Sequence, residues 1–269
     1  METQITYLGA ATYLLEIGAF RLLTDPGFDP DGTEKSEGPG HLLTKIMAPP
    51  ISVDELGRID AVLLSHQQHF DNLDKTGRAL LPNVGRVLTT PESAAVLGGN
   101  AEGLAPNEST TLTNDDGEQI RVTAILALHG LAEEVRKATG EVTGFVLEWD
   151  GQNGALYITG DTVWFDNIAD VGQRFNVGTV ILHMGAAKVP AAGDNALTMT
   201  SEEGARLTKA LDANVAFAAH FEGWAHYTDS SRERIQQVFD DAGVGNHLHL
   251  IAPGETVDLA AVQQATATA

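Results

Sequence analysis

Strand-length apolar runs recur along the chain, and several end on a histidine or an aspartate. AVLLS (61–65) is followed by His66, IRVTAILAL (120–128) by His129 and ALYIT (155–159) by Gly160-Asp161, while NVAFAAH (214–220) closes on His220. Short apolar runs bounded by turn residues read as buried strands, as do GFVLEW (144–149) and VGTVILHM (177–184). Helices alternate with them. Thr90 and Pro91 supply an N-cap and a first helical residue. Thr200 to Glu203 has capping-box spacing and opens a helix to about Ala213. Asp229-Ser230 reads as the cap of a helix running to Gly243. The first 25 residues differ, because ITYLGAATYLLEIGAFRLLTDP breaks at Gly9 and at Gly18-Ala19 into three short runs with a hairpin signal. Hairpins followed by β/α alternation predict a layered α/β (α+β) fold and argue against an all-parallel barrel of the amidohydrolase kind.

One domain spanning 1–269 is expected, since no repeat or low-complexity linker divides the chain. The stretch 27–50 is rich in Gly, Pro and charge, and reads as a flap over a site. LHLIA (248–252) reads as a last strand, and the tail from about 260 to 269 as frayed. With 43% hydrophobic and 20% charged residues, the balance is that of a globular protein. Lys and Arg number 16 against 37 Asp and Glu, a formal net charge of −21. Nucleic acid and anionic membranes need clustered positive charge, so neither is expected as a main partner. The chain has no cysteine, which rules out disulfides, thiolate metal sites and Cys nucleophiles. No apolar run reaches the roughly 18 residues of a membrane span. METQITYLGA lacks the basic and apolar regions of a signal peptide, so a cytoplasmic location is expected.

The densest polar cluster is Ser65-His66-Gln67-Gln68-His69-Phe70-Asp71-Asn72-Leu73-Asp74. Imidazole and carboxylate are the usual ligands of a borderline divalent cation such as Zn2+ or Mn2+. The same residues also suit a polar helix start, with Asp71 and Asp74 as first-turn acids. Taken singly, His129 fits a satisfied core position and Asp161 a helix N-cap. Taken together, a His/Asp cluster, a His, an Asp and a His at successive strand ends share a reason if those ends meet around a cation.

Over Ile5 to about Val257 the chain resembles the metallo-β-lactamase-fold hydrolase superfamily, and looks closest to its ascorbate-6-phosphate lactonase branch. The resemblance lies in GAATYLLEIGAFRLLTDP, SHQQHFDNLD, ALHG, YITGDT and HFEGW. It implies a four-layer αββα sandwich with a metal site at one edge of its two sheets. It implies that His69 and Asp71 match the second His and the Asp of a His-x-His-x-Asp-His motif. His129 then looks like the third His of the first metal position, Asp161 like the bridging acid and His220 like the late His of the second. His66, His69 and His129 would hold one ion, and Asp161 would reach toward a second formed by Asp71, His220 and Asn72. One or two ions of Zn2+ or Mn2+ would activate water against an ester, lactone or phosphodiester bond of a small molecule, with Asp71 and Asp161 as catalytic carboxylates.

Two positions depart from the motif. Gln67 stands where its first His belongs and His66 is one residue earlier, so either the loop bulges to bring His66 in or that ligand is missing. Asn72 replaces its last His, and an amide oxygen is a weaker ligand. The alternative is a non-catalytic metal- or ligand-binding protein with a degraded site; the presence of His129, Asp161 and His220 together speaks against it. His183, Trp224 and His226 are candidate substrate contacts, each also at home in packing. Lys188 is the nearest candidate for holding phosphate and reads better as a surface lysine. His41 reads as a solvated loop residue, and His247 and His249 as a structural pair on one strand face. A small-molecule substrate is expected, and a homo-oligomer is left open.

Overall fold

In the computed structural model, which describes residues 1–36, 42–193 and 195–268, the opening runs form the expected hairpins. In chain order the strands are β1 (Thr3–Gly9), β2 (Thr12–Ile17), β3 (Phe20–Thr24), β4 (Glu34–Ser36), β5 (Leu42–Thr44), β6 (Ala61–Leu63), β7 (Arg86–Thr89), β8 (Ala101–Gly103), β9 (Ser109–Thr113), β10 (Gln119–Ala127), β11 (Val142–Trp149), β12 (Ala155–Ile158), β13 (Val177–His183), β14 (Val215–Ala219), β15 (Leu248–His249) and β16 (Thr256–Asp258). The helices are α1 (Lys75–Leu80), α2 (Pro91–Leu97), α3 (Glu133–Thr139), α4 (Val171–Arg174), α5 (Ser201–Leu211), α6 (Arg232–Asp241) and α7 (Leu259–Ala267). No helix among the described residues is long and apolar enough to cross a membrane. The expectation for His41 falls outside the described residues.

Two seven-stranded sheets carry the fold, ordered β16-β1-β2-β3-β6-β7-β8 and β15-β14-β13-β12-β11-β10-β9. Side chains alternate across a strand, so a strand covered on both sides is apolar at every position. On β2 and β3, Tyr13, Leu15, Ile17 and Leu22 enter the core shared by the two sheets. Their neighbours Leu14 and Leu23 pack on the other side with Val62, Val87 and Leu80 of α1. On the second sheet, α5 packs on β13 and α7 on β14. The layering is the expected αββα sandwich.

Strand direction gathers the site. β3 and β6 run parallel in one sheet, and β12, β13 and β14 in the other. β10 and β12 are both antiparallel to β11 and so share a direction. The C-terminal ends within each sheet therefore lie along one edge.

Several elements differ from the sequence-based expectation. Ser231, not Asp229-Ser230, caps α6, with its Oγ accepting from Arg234 N at 3.2 Å. Asp229 is engaged elsewhere, accepting from Ser201 N and Oγ at 2.8 and 2.6 Å and so tying α5 to α6. The tail is helical through Ala267, because Asp258 Oδ1 caps α7 at 2.7 Å from Ala261 N and Gln263 reaches Asn153 O at 3.0 Å. LHLIA shortens to β15. His247 ends a 3-10 turn with Nδ1 donating to Ala213 O at 2.9 Å, and His249 Nε2 lies 3.0 Å from Thr266 Oγ1. Stretch 27–50 contains the hairpin β4–β5, whose base is pinned to the loop after β14. Ile46 N donates to Gly223 O at 2.8 Å and Ala225 N to Thr44 O at 3.0 Å.

Candidate metal centre

Each group of the centre stands at or just past a strand's C-terminal end. Asp25 follows β3, Ser65 to Asp74 follow β6, His129 follows β10, Asp161 follows β12 and His220 follows β14; His183 ends β13. The turn before Asp161 needs Gly160, which has φ 62, and a Cβ there would meet Thr143 O at 2.4 Å. His220 is itself left-handed at φ 58, with its N–H donating to Ala10 O at 2.7 Å. A non-glycine residue keeps such a backbone only where its surroundings over-determine it.

His66, His69 and His129 converge. His69 Nδ1 lies 3.0 Å from His66 Nε2 and 2.9 Å from His129 Nε2, while Asp161 Oδ2 lies 4.0 and 3.9 Å from those two Nε2 atoms. Ser65 selects the tautomer of His66. Its Oγ donates to Asp25 Oδ1 at 2.9 Å and accepts from His66 Nδ1 at 2.8 Å, so His66 Nε2 keeps its lone pair. His129 Nδ1 donates to Leu197 O at 2.5 Å, which turns its Nε2 lone pair inward as well. Burial holds His66 and His69 below the ordinary imidazole value. Burial and the neighbouring His69 bring His129 down to about 4. The loop does bring His66 in. Arg78 Nη2 donates to Gln67 O and Oε1 at 2.6 and 2.8 Å and draws Gln67 outward.

The second group is built on carboxylates. His220 Nε2 lies 3.0 Å from Asp71 Oδ2 and 3.2 Å from Asp161 Oδ2. Asp71 Oδ2 accepts from His226 Nε2 at 3.0 Å and Tyr227 OH at 3.2 Å. Asp161 Oδ1 accepts from His183 Nδ1 at 2.8 Å and Asn72 Nδ2 at 3.1 Å. Burial pushes the Asp161 carboxyl up, but His220, the His183 hydrogen bond, His66 and His129 outweigh it and hold the group well below the carboxylate range. Burial likewise opposes, and His220 and His226 outweigh, at Asp71. Burial alone would lower His220, yet Asp161 and Asp71 raise it to about 9.

Two donor sets thus share Asp161: His66, His69, His129 and Asp161, and Asp71, Asp161 and His220, each with ligand atoms within 4.8 Å of one another. Asp161 Oδ2 and His220 Nε2 are buried and make no well-aligned hydrogen bond, facing each other across 3.2 Å. Buried lone pairs and carboxylates packed this closely are costly unless a cation lies among them. Imidazole nitrogen with carboxylate oxygen is the donor chemistry that Zn2+ and Mn2+ accept, so the residues fit a divalent metal.

Other placements correct the expectation. Asn72 turns its amide N–H toward Asp161, and toward Ser65 Oγ at 3.4 Å, so it acts as a donor there. A cavity of about 310 Å3 lies over the centre, with His69, Asp71, His129 and His226 among its lining. His183 and Trp224 do not line it. His183 lies buried against Asp161, and Trp224 packs edge-on against Phe70 at 6.0 Å between ring centroids. Lys188 is exposed. Asp25, Ser65 and Tyr227 were not anticipated. Asp25 had a signal, since LLTDP has the same strand-then-Asp form as YITGD.

Residues 20–221 match the Beta-lactamase superfamily domain. The UPF0173 protein YddR of Bacillus subtilis is 25% identical over 94% of this chain and 98% of its own. A UPF0173 metal-dependent hydrolase of Aeropyrum pernix is 24% identical over 95% of this chain and 97% of its own. Among solved structures, an isothiocyanate hydrolase from Delia radicum gut bacteria matches with a TM-score of 0.79 at 25% identity, covering 94% of this chain and 98% of that one. A possible metal-dependent hydrolase from Veillonella parvula matches with a TM-score of 0.80 at 20% identity, covering 96% and 100%. Sandwich and donor sets together define the class as a metallo-hydrolase fold. The chain belongs to the beta-lactamase superfamily, and it is similar to proteins named as metal-dependent hydrolases.

Proposed function

We propose that the two donor sets hold one or two ions of Zn2+ or Mn2+ and that the chain hydrolyses an ester or lactone bond of a small molecule. The observation that carries this reading is the convergence of the His66, His69, His129 and His220 ring nitrogens and the Asp71 carboxylate on Asp161 beneath a cavity. His66, His69, His129 and Asp161 hold the first ion; Asp71, Asp161 and His220 hold the second. A cation held there supplies Lewis acidity, lowering the pKa of water from about 15.7 toward about 7 and polarising the substrate's electrophilic centre.

The chain's own residues supply position and proton transfer. His183 and Asn72 occupy Asp161 Oδ1, so Oδ2 alone turns to the centre. His226 and Tyr227 fix Asp71, whose carboxylate accepts the proton that the attacking water gives up. In the net reaction the acyl–oxygen bond breaks, hydroxyl joins the acyl carbon and the proton ends on the leaving oxygen. Isothiocyanate hydrolysis is a second reading, favoured by the 25% identity to a hydrolase of that kind over 94% of this chain.

The test is elemental analysis of protein purified without chelator, followed by assays on a nitrophenyl ester, a γ-lactone and an arylalkyl isothiocyanate. Bound metal is expected, with turnover abolished by chelation and restored by Zn2+ or Mn2+. Protein that carries no metal and gains no activity from either ion contradicts the reading.

A further inference from the structure

The cavity walls are more selective than its floor. Above the donor atoms the lining is aliphatic, with Leu43, Val135, Ala187, Val189, Ala192 and Leu197. Glu134 is the one further charged group that lines it, and no lysine or arginine does so among the described residues. Nearby cations are engaged elsewhere. Lys45 is buried against Asp74 at 3.0 Å, Arg136 donates to Leu131 O, and Lys137 pairs with Glu133 at 2.5 Å. Lys188 borders a separate hollow with Glu202, Asp229 and Arg234. Glu134, in the first turn of α3, lines the cavity and repels an anion there, whereas Glu133 is paired with Lys137. The net charge of −21 adds a repulsive field at longer range.

A cation on the floor serves the reacting group of a substrate. The rest of that molecule meets aliphatic wall, where a phosphate or carboxylate would be desolvated with no counter-ion. We infer that the site selects small substrates whose non-reacting part is uncharged and apolar, and rejects phosphorylated and carboxylated ones. A volume of about 310 Å3 is at the small end of ligand pockets, which run from about 300 to 1,000 Å3. The inference rests on the reading of the cavity floor as the hydrolytic centre.

Matched pairs test it on the Zn2+-loaded protein: 4-nitrophenyl butyrate against mono-4-nitrophenyl succinate, and phenyl isothiocyanate against 4-isothiocyanatobenzoate. The uncharged member is expected to show a kcat/KM about tenfold higher or more, the cost of an unpaired buried charge. Ala138→Arg, an exposed position on α3 that lines the cavity, is expected to narrow that ratio by about threefold or more by supplying a counter-ion. Titration with hexanohydroxamate and with adipic monohydroxamate gives a readout independent of turnover, because the metal-seeking head is the same in both. About tenfold tighter binding of the uncharged tail is expected. Equal or reversed binding order overturns the inference whatever the rates. If no substrate is turned over but the binding order holds, the hydrolytic reading fails and the cavity's preference for uncharged tails stands.

Discussion

Ser65 stands between two buried groups, donating to Asp25 and accepting from His66. Its role is to orient a ring, and loss of such a partner reduces metal affinity about 10–100-fold. Ser65→Ala is therefore expected to weaken Zn2+ binding by that factor in competition with a chromophoric chelator; unchanged affinity would remove the role. His69→Ala deletes the nitrogen that lies nearest to both other imidazoles, and elemental analysis should find the variant without its first ion. His69, Asp71, His129, Asp161 and His220 were legible because a polar group directly after an apolar strand has few other reasons to be there. The choice of His66 over Gln67 was not, since it depends on the Arg78 guanidinium, which holds Gln67 by its carbonyl and its side-chain oxygen. Nor was the turn of Asn72, whose partner Asp161 lies 89 residues away.

At the scale of elements, the base of β4–β5 is locked by Lys45, whose Nζ donates to Gly27 O and Asp74 Oδ2, both at 3.0 Å. Asp74 also caps α1 through Gly77 N at 2.9 Å. Removing one partner of a buried ion pair costs about 3–5 kcal/mol. Lys45→Met should lower unfolding stability by about that amount in urea titration; a loss below about 1 kcal/mol would show the pair to be incidental. Long strands such as β11 and β13 were evident from composition because each buries both faces. The short ones were not. β16 exists through pairing with β1, as in Gln4 opposite Asp258, and no local signal encodes a partner at the far end of the chain. The cap of α6 was misplaced by two residues or less because Asp229 and Ser231 are both good caps, and the tie to Ser201 decides between them.

Across the whole molecule, the buried imidazoles couple stability to pH. In metal-free protein, burial depresses His66 and His69, and burial with His69 takes His129 to about 4. An unfolded histidine titrates near 6.5, so the unfolded chain takes up protons first and stability falls as pH drops from about 6.5 toward 4. His220 acts in the opposite sense. Its folded value is about 9, so its contribution is complete below the unfolded value and is lost as pH rises through 9. Calorimetry in chelator should find Tm highest near about pH 6.5 and lower on both sides, whereas a steady rise with pH would contradict this balance. Binding of a divalent ion to the folded chain alone should raise Tm with ion concentration. The most direct measurement is anomalous scattering from crystals of Zn2+-loaded protein. A peak is expected bounded by His66 Nε2, His69 Nδ1, His129 Nε2 and Asp161 Oδ2; a zinc position elsewhere, or none at saturating Zn2+, would overturn the assignment of the centre.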